Sequence, residues 1–228
     1  MDFSNLGVAA IATTIVAIIV TVVFFAFWKA RVAAEKRTNV VLLGVSGGGK
    51  TALFLRLRKN TFISTVPSLE ENCEGGLIDC PGHHSLNQAA LAKLKQAKAA
   101  IFVVDAVTFA ENASEAANYL YDILLTESCR ANGIPVHIVL NKSDNLNAVK
   151  SSYVKRRLEK DINSLRTTRA KNIDDISSDS VDTFIGEEGK DFSFSQIKSS
   201  IDFLEVSARS ESGLDKLKEV VDQYLATE

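Results

Sequence analysis

Cysteine is scarce in this chain of 228 residues. There are three, Cys73, Cys80 and Cys129, at no framework spacing. So sparse and odd a count excludes a disulfide scaffold and fits a reducing compartment. Cys80 has no His–Cys constellation to activate it and reads as a small filler. Histidine is equally scarce, with three in all, and no cluster with metal-ligand spacing appears. His137, within a strand pattern, is most simply a packed side chain. Excess charge is absent too: 26 Lys and Arg against 28 Asp and Glu leave a net −2. That removes any bulk electrostatic case for binding nucleic acid. There are no internal repeats. No lipid signal is present, since residue 2 is Asp rather than Gly and the sequence ends Ala-Thr-Glu.

Charge is also missing from one long stretch, Gly7 to Trp28, where Ala, Ile, Val and Phe dominate. At 1.5 Å per residue it spans roughly 33 Å, the thickness of a hydrocarbon core. Trp28, after Phe24, Phe25 and Phe27, suits an interfacial belt. Lys29, Arg31, Lys36 and Arg37 follow at once, whereas Asp2 is the one charged side chain before the span. The positive-inside rule then puts the carboxyl-terminal side in the cytosol. A cleaved signal peptide fits worse: the run is long, lacks a basic n-region and offers no clear small-residue cleavage site. The expected organisation is a lumenal 1–6, a transmembrane helix 7–28, a basic tether 29–38 and a nucleotide-binding domain 39–228. A flexible acidic insertion falls near 170–190.

Residues 44–51 read Gly44-Val45-Ser46-Gly47-Gly48-Gly49-Lys50-Thr51, matching G-x-x-x-x-G-K-[ST] at each fixed position. The apolar run Asn39–Leu43 precedes them and Ala52–Leu57 follows, giving strand, glycine loop and helix. Glycines let successive backbone N–H groups turn inward around phosphates, and the helix start adds its positive dipole end. Lys50 would reach the β- and γ-phosphates, and the Thr51 hydroxyl would hold Mg²⁺.

Three later segments select guanine over adenine. The buried-strand pattern Ile134–Leu140 ends in Asn141-Lys142-Ser143-Asp144. Asp144 can accept hydrogen bonds from guanine N1–H and the exocyclic amine, a donor pair that adenine lacks. Asn141 would address the other edge of the base or brace the loop, and the Lys142 stem can lie over the ring. Asp79, at the end of a strand, can hold Mg²⁺ through water opposite Thr51. The Gly82 N–H can bond the γ-phosphate, so this loop should sense whether that phosphate is present. The turn after Phe203–Val206 would bring the Ser207 and Ala208 backbone to the guanine carbonyl.

Strands are expected near 39–43, 76–79, 100–105, 135–140 and 202–206. Helices are expected near 50–59, 86–98, 112–130, 147–168 and 213–226. The alternation argues an α/β fold, a mostly parallel sheet with helices on both faces, in which ligands bind at the carboxyl ends of the strands. Residues 60–74 should hold the first switch, with Thr65 or Ser68 supplying a hydroxyl to Mg²⁺. Helix capping is an equal use for either. Lys155-Arg156-Arg157 reads as a solvated helix face, and Asp174–Ser180 as a mobile loop.

Taken together, the span, Gly44–Thr51, Asp79–His83, Asn141–Asp144 and Ser207–Ala208 resemble the signal recognition particle receptor beta subunits, Arf-like small GTPases of the endoplasmic reticulum membrane. Leu158–Arg166 and Gly189–Gln196 also resemble that family and not ordinary Ras- or Arf-type proteins. The resemblance implies a P-loop small-GTPase fold behind one transmembrane helix, with GTP or GDP and Mg²⁺ as cofactors. It implies a receptor alpha subunit as partner, with ribosome and translocation channel engaged indirectly. Carried over, Gly44–Thr51 contact phosphates and Mg²⁺, and Thr65, Val66, Pro67 and Ser68 form the switch. Gly82 meets the γ-phosphate, Asn141, Lys142 and Asp144 read guanine, and Ala208 supports the base. Two residues depart from the family pattern: Arg209 stands where Lys is usual, and Pro67 where a hydroxyl residue is expected. His83 stands where Ras-like enzymes use Gln to orient water, which implies slow intrinsic hydrolysis. Competing readings are a constitutively GTP-bound scaffold, a translation-type GTPase sharing Asp-Cys-Pro-Gly-His, and a P-loop kinase. Asn141–Asp144 speaks against the kinase.

Overall fold

The computed structural model describes residues 16–26, 28, 37–66, 69–174 and 184–226. It divides into two compact units, Met1–Arg37 and Thr38–Glu228. In the first, residues 16–26 and Trp28 are helical, with apolar side chains facing outward. Residues 1–15 and 29–36, including most of the expected lumenal tail and tether, lie outside the described residues. Among the described residues no helix is long and apolar enough to cross a membrane.

The second unit is built on a six-stranded sheet. Its strands are β1 (Asn39–Leu43), β2 (Asn72–Glu74), β3 (Leu77–Asp79), β4 (Ala97–Asp105), β5 (Val136–Asn141) and β6 (Ile201–Glu205). Their order is β2-β3-β1-β4-β5-β6. Only the edge pair β2–β3 is antiparallel. The helices are α1 (Lys50–Lys59), α2 (Asn87–Lys93), α3 (Phe109–Leu125), α4 (Glu127–Arg130), α5 (Ser151–Asp174) and α6 (Leu214–Ala226).

Both faces of the central strands are covered, so they read as continuous apolar runs rather than alternating ones. Alternate side chains still serve different layers. Val41, Leu43, Phe102, Val104, Ile138 and Leu140 pack with α2, α3 and α5. Val40, Leu42, Ile101, Val103 and Val139 pack with α1 and α6. The parallel register brings Leu43, Asp105 and Asn141 to one end of the sheet, and the loops that follow them meet there.

The structure corrects three expected helices and adds one strand. A helix over 86–98 gives way to α2, a 3-10 turn at Leu94–Gln96 and β4 from Ala97. Ala97, Ala99 and Ala100 are fully buried, and pairing overrides alanine's helix propensity. The helix expected over 112–130 is broken at Thr126, whose ψ of 147° is extended. The helix expected from 147 starts at Ser151 and runs to Asp174. Strand β2 falls inside the segment read as switch. Its three residues are all exposed, so no buried pattern announced it.

The acidic stretch 175–183 lies outside the described residues, but its distal flank is fixed. Buried Arg166 donates to the Ile185 carbonyl at 3.4 Å, to the Glu187 carbonyl at 3.2 Å and to the Lys190 carbonyl. It also lies 5.0 Å from the Phe184 ring centroid. Arg169 binds Asp122 at 2.7 Å and covers the Tyr121 ring at 4.6 Å, locking α5 to α3.

His137 on β5 is buried, as the sequence indicates, with Nε2 3.3 Å from the Tyr224 hydroxyl. Burial holds its pKa below the ordinary 6.5, against the opposing pull of Asp202. Asp202 is 63% exposed and water-screened, so desolvation wins. A depressed histidine pKa favours the folded state fully above the unfolded value, and the benefit is lost as pH falls below 6.5. Thermal melts at about pH 5.5 and 7.5 should show lower stability on the acid side. The His137→Gln variant should flatten that slope.

Candidate nucleotide-binding site

The loop between β1 and α1 is shaped by glycines that no other residue replaces cheaply. Gly44 has φ 138°, and a Cβ there would collide with the Val103 carbonyl. Gly49 has φ 83° and caps α1 without any side-chain bond, and the first turn of that helix holds no acid. The amino-terminal N–H groups of α1 are therefore offered to an anion. Gly82 needs its small size rather than its backbone freedom. A Cβ there would strike Lys50 Nζ and the Ser46 backbone, so glycine lets the 79–83 loop close on the phosphate loop.

Lys50 is 6% exposed. Its Nζ donates to the Gly44 carbonyl at 2.8 Å and the Val45 carbonyl at 3.0 Å. Burial lowers its pKa, opposed by the nearby Asp79. The Thr51 hydroxyl donates to Asp79 Oδ2 at 2.7 Å, and Asn72 Nδ2 donates to the same oxygen at 3.2 Å. Asp79 is 2% exposed, and its Oδ1 is buried without a hydrogen-bond partner. Burial raises its pKa. A hydroxyl and an orphaned carboxylate oxygen form the hard, all-oxygen donor set that Mg²⁺ prefers, leaving its other positions to water and phosphate. Among the described residues no group of three or more His, Cys, Asp or Glu could hold a metal.

These groups line a cleft of about 370 Å³ at the carboxyl end of the sheet. Ser46, Gly47, Gly49, Lys50, Thr51, Thr65, Val66, Asp79, Gly82, His83, Asn141, Lys142, Asp144, Ser207 and Ala208 all contribute to its lining. Gly44, Val45 and Gly48, also expected to contact the nucleotide, belong to the same loop but not to the lining of this cleft. Pro67 and Ser68 lie outside the described residues. Among the described residues of this segment, the hydroxyl residues Ser64 and Thr65 both line the cleft.

Of the two uses open to Asn141, bracing is visible in its hydrogen bonds, and its second Nδ2 N–H leaves the base contact open. Nδ2 donates to the Gly48 carbonyl at 3.0 Å. Oδ1 accepts from Lys142 N at 2.8 Å and Ala208 N at 3.1 Å. The residue braces the phosphate loop against both base-side turns. Lys142 has φ 65°, and its ammonium reaches Asp105 Oδ2 at 2.6 Å and the Gly47 carbonyl at 3.0 Å. Its stem thus crosses the cleft toward the phosphate loop. Asp144 is exposed at the cleft edge. The fully buried Ser207 accepts from Arg209 N at 3.2 Å and Ser210 N at 3.0 Å, which fixes the turn behind Ala208.

His83 sits on the rim, and its Nδ1 is 2.7 Å from the Ser85 hydroxyl. It caps the short 3-10 turn His84–Leu86. Cys80 is buried, and desolvation pushes its thiol up to about 12, so it stays protonated and serves as core. Sequence reasoning passed over Phe62, which lines the cleft with 43% of its surface exposed. Its signal was available: an aromatic three residues beyond the end of α1, with no apolar periodicity to absorb it.

A phosphate loop, a magnesium-ready hydroxyl–carboxylate pair and an acidic base-side turn, all on a mostly parallel sheet with one antiparallel edge, define a P-loop protein with the small-GTPase fold. The comparisons with known proteins narrow this class. The chain belongs to the signal recognition particle receptor beta subunit family, whose model matches residues 35–201. The rat signal recognition particle receptor subunit beta is 32% identical over 217 residues, covering 90% of this chain and 80% of the relative. Among solved structures, that of the mammalian SRP receptor superposes with a TM-score of 0.70 at 32% identity, covering 82% of this chain and 99% of the other. The SRb–GDP–Mg structure from Chaetomium thermophilum gives 0.64 at 28% identity, covering 83% and 98%.

Proposed function

We propose that this chain is a membrane-anchored GTP-binding switch of the signal recognition particle receptor, holding the receptor's alpha subunit and so supporting co-translational targeting at the endoplasmic reticulum. The observation that carries the nucleotide part is the cleft itself. The α1 amino terminus, Lys50 and the Thr51–Asp79 pair stand at its phosphate end, and Asp144 and Ala208 at its base end. GTP or GDP with Mg²⁺ is the ligand this arrangement suits, and a family neighbour holds GDP and Mg.

Anchoring is supported by the uncharged stretch Gly7–Trp28 and the cations that follow it, and by the outward-facing apolar side chains of 16–26. Together they favour one span with the nucleotide domain in the cytosol. Partner binding at the switch is supported by Ile63, Val66 and Leu69, apolar side chains 56%, 82% and 71% exposed beside the cleft mouth. Only there does the nucleotide's third phosphate alter shape. Hydrolysis is slow in this reading, because the ring nitrogen of His83 nearest the turn is engaged with Ser85.

The test is capture of the alpha subunit's amino-terminal domain by the full chain in detergent, loaded with GTP or with GDP. Affinity should be at least about tenfold higher for the GTP form. Equal capture by both forms would favour the constitutive scaffold instead.

A further inference from the structure

The base end of the cleft has two walls that are far apart in sequence, and one side chain touches both. Arg56 lies on α1, six residues beyond the phosphate-loop lysine. Its Nε donates to the Ala208 carbonyl at 3.0 Å and its Nη2 to the Arg209 carbonyl at 3.5 Å. Its Nη1 pairs with Glu211 at 2.9 Å. On the other side, Nη1 donates to the Asn60 carbonyl at 3.2 Å, and the guanidinium carbon lies 5.9 Å from the Phe62 ring centroid. The side chain is 12% exposed; its bond to the Ala208 carbonyl is part-buried, and those to the Asn60 and Arg209 carbonyls lie at the surface.

We propose that Arg56 is a positioning residue for guanine selection: it fixes the Ala208–Arg209 turn relative to the Asn60–Phe62 segment, and thereby sets the width of the slot into which the base enters. This inference rests on the guanine-nucleotide reading above. The geometry requires arginine. The planar guanidinium directs N–H groups from three separate nitrogens at carbonyls on two different segments, a fixed fork that the compact ammonium of lysine reproduces only in part. Asn60, whose carbonyl accepts from Arg56, has φ 50° and is the left-handed cap that ends α1. Because α1 begins at Lys50, one rigid helix ties the phosphate site to the base slot.

A purely structural staple would weaken all nucleotides equally, whereas a slot-setting residue alters discrimination. The experiment measures dissociation constants of GDP and inosine diphosphate for the full chain in detergent, as wild type, Arg56→Ala, Arg56→Lys and Glu211→Gln. Inosine lacks the 2-amino group that Asp144 would accept from. Loosening the slot should therefore shrink the guanine-over-inosine ratio by about tenfold in Arg56→Ala. Arg56→Lys should recover only part of it, and it carries the test if the alanine variant does not fold. Glu211→Gln removes one ion pair but none of the bonds to carbonyls, and should keep the ratio within about twofold. A folded Arg56 variant that weakens both nucleotides by one factor, or neither, overturns the inference. A wild type that prefers no guanine nucleotide overturns the guanine reading instead, so the two failures are distinct.

Discussion

Asp144→Asn should move base preference from guanine to xanthine. Asp144 is exposed and shares the cleft lining with Ser207 and Ala208. It suits the two N–H groups on guanine's N1–C2 edge, and each hydrogen bond to a charged acceptor is worth about 1.5–3 kcal/mol. Losing that match should weaken GDP by about 100- to 10 000-fold. Xanthine carries a carbonyl where guanine has its amine, so the amide of the variant can donate to it. Xanthosine diphosphate should then bind the variant better than GDP does. Melting temperature should barely move, because no protein bond depends on an exposed side chain at this edge. Competition titrations with the two diphosphates check the swap. A variant that loses GDP without gaining the xanthine nucleotide would place the base elsewhere.

Asn141→Ala acts on the scaffold as well as the ligand. Three protein groups lose their partner at once: the Gly48 carbonyl, the Lys142 N–H and the Ala208 N–H. At about 1 kcal/mol each, the domain should lose about 3 kcal/mol of stability. For a domain of this size that is about 6–12 °C in melting temperature. Nucleotide affinity should fall beyond this, since both the phosphate loop and the Ala208 turn lose their common brace. Melts with and without GDP separate the two effects. A variant with wild-type stability would contradict the bracing role.

The contrast between these residues shows what local sequence carries. Gly44–Thr51 was legible because fixed spacing on a strand–loop–helix encodes the whole phosphate cradle in eight consecutive residues. Asp144 was legible because it follows a buried strand at its carboxyl end. Asn141 was legible in position but not in use: which side of its amide met what depended on Gly48 and Ala208, distant in the chain. Arg56 was invisible for the same reason, since its partner Ala208 is 152 positions away. Arg156 and Arg157 look no different from it in sequence. Arg166 shows the same limit, as a cation in an amphipathic helix that turns out buried and holding a loop. Strand β2 escaped because an exposed three-residue edge strand has neither length nor periodicity. The alanines of β4 misled because their size, not their propensity, suits a crowded sheet centre.

The most direct test of the account is the nucleotide carried by the full chain, purified in detergent, followed by titration with GDP and ADP in the presence of Mg²⁺. The account predicts guanine nucleotide at roughly one per chain and GDP bound at least about 1000-fold more tightly than ADP. Chelating Mg²⁺ should speed GDP release, because Thr51 and Asp79 are the residues that would hold the ion and the ion would offset phosphate charge. A chain that carries no nucleotide, or that binds ADP as tightly as GDP, would contradict it.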